Sequence, residues 1–122
     1  MGVERLIRFP TAGPEWPAVA ARLAEVGEAP VVRMIDGLPA FPGEVPDPGW
    51  QELRVGLAGG MVTLRRTGSD VRVVAWDTDD RDLTRSRDLL CWALAAAGDG
   101  VILLPDGPQS AAAYRSSIEK NG

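Results

Sequence analysis

Hydrophobic and polar positions alternate most cleanly between residues 52 and 76. In the run Glu52 to Leu57, Leu53, Val55 and Leu57 fall on one side and Glu52 and Arg54 on the other. Ala58-Gly59-Gly60 supplies a turn, and Met61 to Arg66 follows. Thr67-Gly68-Ser69-Asp70 turns again before Val71 to Trp76. Short period-two strands joined by short glycine-containing connections predict a three-strand antiparallel meander over about 52–76. With Leu53, Val55, Leu57, Val62, Leu64, Val71 and Val73 turned to a core, the same alternation puts Arg54, Thr63, Arg65, Arg72, Val74 and Trp76 on the opposite face.

The flanks carry other periods. Val3 to Phe9 reads as a first strand ended by Pro10. A helix is predicted over about 14–26, where Trp16, Val19, Ala20, Leu23 and Val26 recur at three- and four-residue spacing and Gly27 supplies a stop. Val31 to Ile35 is a short β-branched strand. A second helix over about 82–97 has a wide apolar face built on Leu83, Leu90, Leu94 and Ala97, and Gly98-Asp99-Gly100 ends it. Val101 to Leu104 reads as a buried strand, Pro105-Asp106-Gly107-Pro108 as a turn, and about 109–119 as a third helix with Ala111, Tyr114 and Ile118 inward. Helices combined with a mainly antiparallel sheet predict a two-layer α+β sandwich, with the helices on one sheet face and the other face open.

Between the second strand and the meander lies Asp36 to Gly49, fourteen residues with four prolines and three glycines. That composition predicts an irregular loop, with Leu38, Phe41 and Val45 pinning it to the body. No repeat or linker divides the chain, and its 122 residues fit a single domain, 1–122. Folding at this size removes roughly two-thirds of the unfolded chain's surface from water, enough for a core without metal or disulfide staples.

Composition narrows the chemistry. There is no histidine and one cysteine, which excludes Ser-His-Asp triads, Cys-His dyads, His-ligated metals and a disulfide framework. No cofactor is implied. Formal net charge is −4, which argues against general nucleic-acid binding. The longest apolar run, Leu89 to Ala97, has nine residues, whereas a membrane span needs about 20. Residues 1–14 lack the apolar stretch of a secretory signal, and with the free Cys91 this predicts a cytoplasmic protein. Twelve of the thirteen basic residues are arginine. Beside the abundant Ala, Gly and Pro, that fits GC-rich coding, and it also supplies planar donors for acidic partners. The pattern as a whole resembles small bacterial α+β accessory domains in a general way, without a motif that assigns a family.

Three places could carry function. Arg54, Arg65, Arg72 and Trp76 on the open sheet face, with Phe41 in the adjoining loop and Trp50 at the start of the meander, could grip a protein partner, a second copy of the chain included. The bland alternative is a solvated face with Glu52 paired to an arginine, and Trp50 could equally anchor the loop. Asp77, Asp79 and Asp80 could hold a divalent cation for an enzyme, with loop 36–49 as a lid. However, Arg81 and Asp82 break the EF-hand pattern, and helix capping explains the acids better. The segment from Gly98 to Ser110 could cradle an anion, but it lacks a phosphate-loop motif and reads better as a structural turn. Cys91, mid-helix without a cationic neighbour in sequence, reads as a buried inert thiol. The function expected is therefore a non-enzymatic interaction domain. A metal-dependent or small-ligand enzyme and a homodimeric structural subunit stand as alternatives.

Overall fold

The computed structural model describes the backbone of residues 3–76 and 80–121 and the side chains of residues 4–76 and 80–118. Eight strands form one sheet in the order β3-β2-β4-β5-β6-β1-β7-β8, antiparallel at every pairing. The strands are β1 (Val3–Arg8), β2 (Val31–Ile35), β3 (Leu38–Pro39), β4 (Glu52–Leu57), β5 (Gly60–Thr67), β6 (Asp70–Ala75), β7 (Val101–Leu104) and β8 (Gly107–Ser110). The helices are α1 (Trp16–Glu25), α2 (Arg81–Gly98) and α3 (Ala111–Asn121). Trp16, Val19 and Leu23 of α1, Leu90 and Leu94 of α2, and Tyr114 and Ile118 of α3 share one core with Ile7, Leu53, Leu64, Val73 and Ile102 of the sheet. All three helices thus cover the same face, and the molecule is a two-layer α+β sandwich.

The meander has the predicted parity. Leu53 pairs with Leu64 and Val55 with Val62, while Leu64 pairs with Val73, and all five side chains are buried. α2 begins where the acids predict: the Asp80 carboxylate accepts hydrogen bonds from the amides of Asp82 and Leu83 at 2.9 and 3.1 Å. Such a cap contributes about 1 kcal/mol. The helix ends at Asp99, which adopts a left-handed φ of 55°.

Two expectations are corrected. The segment 107–110 is not turn and helix start but the edge strand β8, with Pro108 opposite Leu103. An edge strand tolerates proline because one side of its backbone has no neighbour to bond. The loop 36–49 also contains regular structure. Asp36 and Gly37 take φ of 50° and 84°, the left-handed pair that closes a two-residue hairpin, and Leu38 pairs back with Ile35. Asp36 Oδ1 then accepts the Gln51 and Glu52 amides at 2.7 and 2.9 Å, tying the turn to the start of β4.

The apolar residues expected to pin the loop do not. Leu38, Phe41 and Val45 are exposed. Pro46 and Trp50 are buried in their place, and Arg66 donates to the Pro48 carbonyl at 2.7 Å. Trp92, on the apolar side of α2, is only half-buried and lies under Arg115, 4.8 Å from guanidinium carbon to ring centroid.

Candidate functional site: the bare face of the sheet

With the helices on one side, the other face is built from the alternate residues of each strand. Two rows of side chains cross it. One runs Glu52, Arg65, Arg72, Leu6, Leu103 over β4, β5, β6, β1 and β7. The other runs Met34, Arg54, Thr63, Val74, Glu4. Arg54, Arg65 and Arg72 are therefore gathered on one face, with the latter two directly opposite each other across β5 and β6. Trp76 lies one residue beyond β6, continues the parity of Arg72 and Val74, and is 63% exposed.

Like charges in directly opposed cross-strand positions repel. Glu52 offsets this at Arg65, accepting from Nε at 3.1 Å. Arg54 and Arg72 make no side-chain hydrogen bond or ion pair with any described residue. At the rim Arg8 donates from Nε to Asp70 at 3.1 Å, and that bond holds the Asp70 carboxyl below the ordinary carboxylate range. Arg33 adds a further cation, its Nε beside Gly56 of the same face. Five arginines (8, 33, 54, 65 and 72) thus stand on this face against Glu4, Glu52 and Asp70. The surplus is positive on a chain whose net charge is −4. Thr63 and Val74 between the arginines are nearly covered by their neighbours, so the centre is a flat floor with guanidinium groups standing around it.

Not every sequence candidate belongs here. Trp50 is withdrawn as a recognition residue: it is 1% exposed, and Arg66 stacks on it at 4.1 Å. Its place just before β4, beside the buried Leu53, makes it a loop anchor. Phe41 is 76% exposed but stands on the 36–49 loop beyond the β3 edge, away from the Arg65–Arg72 row. Asp77 and Asp79 lie outside the described residues, and Asp80 caps α2. Among the described residues no group of three or more acids or thiols is arranged to hold a metal. Cys91 is fully buried, and desolvation pushes its thiol up to about 12, so no thiolate nucleophile is present near neutral pH. Arg33 and Arg8 were missed. The irregular register between Val32 and Met34 hides the facing of Arg33, and only the pairing with Asp70 assigns Arg8 to this face.

No described helix is long and apolar enough to cross a membrane. Compared with known protein families, curated proteins and solved structures, the chain matches none.

Proposed function

We propose that this is a non-enzymatic interaction domain whose bare sheet face receives an acidic segment of a protein partner. The observation that carries the reading is the cross-strand pair Arg65–Arg72, held side by side on an uncovered face where, among the described residues, Arg54 has no carboxylate partner and Arg72 is near only Asp70, which Arg8 already engages. Locally that arrangement is unfavourable and only partly offset by Glu52 and Asp70, and functional sites are where a sequence is expected to break such a local rule. Carboxylates supplied by a partner relieve the repulsion and accept the planar guanidinium donors in pairs. Trp76 adds an aromatic surface of the kind that anchors interfaces. A second copy laid face to face sets the same arginines against one another, so charge favours a different chain. A cytoplasmic setting fits the free thiol.

The test uses Trp76 as its reporter. A glutamate-rich synthetic peptide is titrated into the full chain while indole emission is followed, with Trp76→Phe as the signal control. The double reversal Arg65→Glu/Arg72→Glu should weaken binding at least about tenfold, 1.4 kcal/mol or more. Unchanged affinity in that variant overturns the reading. Tighter arginine-dependent binding of a single-stranded oligonucleotide assigns the face to nucleic acid instead.

A further inference from the structure

A second surface lies at the opposite kind of place, the open edge of the sheet, and does not rest on the reading of the bare face. β3 is two residues long and covers only Met34 and Ile35 of β2. A single further bond, from the Ala40 amide to the Arg33 carbonyl at 3.0 Å, extends that cover. Val31 and Val32 pair with β4 on one side and make no other described backbone hydrogen bond. An unpaired strand edge is a template for another extended chain unless it is blocked. Here the prolines that would block it flank the two valines rather than replace them: Pro30 comes just before Val31 and lines the groove, and Pro39 and Pro42 lie beyond.

Beside this edge runs an apolar groove. Trp16 and Ala20 of α1 form one wall, Val31 and Val32 the floor, and Val45 with Glu44 of the loop the other wall. Nearby, the same loop holds Leu38 70% and Phe41 76% exposed. These positions are fixed by local structure. Phe41 to Glu44 closes a turn through the bond from the Glu44 amide to the Phe41 carbonyl at 2.9 Å, and Glu44 Oε1 accepts the Phe41 amide at 2.9 Å. Charge then decides what fits. Residues 36–49 hold Asp36, Glu44 and Asp47 and no lysine or arginine. Arg33 extends over Gly56, on the β4 side, away from the edge. The rim is acidic.

We infer that the Val31–Val32 edge and its groove form a docking site for an extended apolar and basic segment of a partner protein. The segment adds as a strand beside β2, seats one apolar side chain between α1 and the loop, and sets a basic residue against Glu44, within the negative field of the loop's Asp36 and Asp47. Main-chain bonds give such a complex its strength, and alternate side chains give its selectivity. A second copy pairing edge to edge brings two acidic loops together, so charge disfavours it.

The experiment selects binders to the full chain from a displayed library of random nonapeptides, then synthesises the consensus. The expected consensus alternates apolar residues with Lys or Arg. Its amide-shift map should centre on Val31, Val32 and Val45. N-methylation of alternate peptide amides should lower affinity at least about tenfold, the value of one or two lost hydrogen bonds. Asp47→Lys should weaken binding several-fold, and more at low salt than at high salt. The inference is overturned by no enrichment, by an acidic consensus, by indifference to N-methylation, by shifts centred on Arg65 and Arg72, or by a micromolar dimer in sedimentation that occupies the edge. Arg65→Glu/Arg72→Glu should leave this binding intact, which separates its failure from failure of the sheet-face reading.

Discussion

Arg65 and Arg72 face each other directly across β5 and β6 on the uncovered side of the sheet; Arg65 is ion-paired with Glu52, whereas among the described residues Arg72 is near only Asp70, which Arg8 already engages. This arrangement ties binding to stability with opposite signs. Arg72→Thr removes a like-charge neighbour and places a β-branched residue in a strand. We expect a gain of a few tenths of a kcal/mol in urea unfolding together with loss of affinity for the glutamate-rich peptide. A variant that loses stability as well as affinity shows that Arg72 supports the fold, and that the pair is no mark of function.

Arg66, one residue from Arg65, works on the other face. It stacks on Trp50 and donates to the carbonyls of Pro48 at 2.7 Å and Pro14 at 3.3 Å. One planar side chain thus ties the end of the long loop, and the segment leading into α1, to the central strand. Burial lowers its pKa from the usual guanidinium value, but the group stays charged at any pH the fold survives. Arg66→Ala should cost about 2–3 kcal/mol, since it removes charge-assisted bonds to carbonyls and a stacked contact. Arg66→Lys should recover less than half, because a single ammonium cannot stack flat and reach both carbonyls. A change in unfolding free energy below about 0.5 kcal/mol for Arg66→Ala, the scale of an ordinary surface substitution, refutes the role.

The contrast between these neighbours shows what the chain reveals on its own. Period-two alternation places Arg65 outward and Leu64 inward, and the structure agrees, because a one-residue slip would bury the guanidinium groups. Arg66 has the parity of Leu64, yet nothing in the local pattern says that it will meet Trp50, sixteen positions earlier. The loop departs from its sequence pattern for a related reason. Proline and glycine signal the end of regular structure, but Asp36-Gly37 is also a hairpin turn and Pro108 an acceptable edge residue. Which meaning holds depends on whether a neighbouring strand is present. The bare face was legible from alternation, whereas the groove beside β2 arises from elements far apart in sequence.

Cys91 and Tyr114 make the fold sensitive to alkali. Desolvation pushes the Cys91 thiol up to about 12. Burial likewise raises Tyr114, whose hydroxyl donates to Asp88 Oδ1 at 2.7 Å. Both groups keep their protons in the folded chain at pH values where the unfolded chain has released them. Their contribution is therefore fully present below the ordinary thiol value near 9.0 and is lost as pH rises from there towards 12. Urea midpoints should be level from about pH 7 to 8.5 and then fall steeply. Labelling of Cys91 by a disulfide reagent at pH 8 should be no faster than opening of the core. Stoichiometric labelling within seconds in native buffer, or a flat profile to pH 11, contradicts the burial.

Gly59 is the place where a single methyl group should do most harm. A Cβ there would collide with the Asp82 carbonyl, and its amide donates to Ser86 Oγ at 2.9 Å. Glu28 gathers the same corner, accepting from the Ala58 amide at 3.3 Å and from Ser86 Oγ at 3.4 Å. The β4–β5 turn and the start of α2 therefore meet backbone to backbone, with no flexible side chain to give way, and the Glu28 carboxylate ties the segment after α1 to both. Gly59→Ala must push α2 off the sheet and should cost about 3 kcal/mol, the upper range for overpacking. Gly43 supplies the comparison: its φ is +77° with open space around it. Gly43→Ala then carries only the left-handed backbone penalty, about 1 kcal/mol. Unfolding measurements that rank Gly43→Ala as the more damaging change show that the turn and α2 do not touch as described.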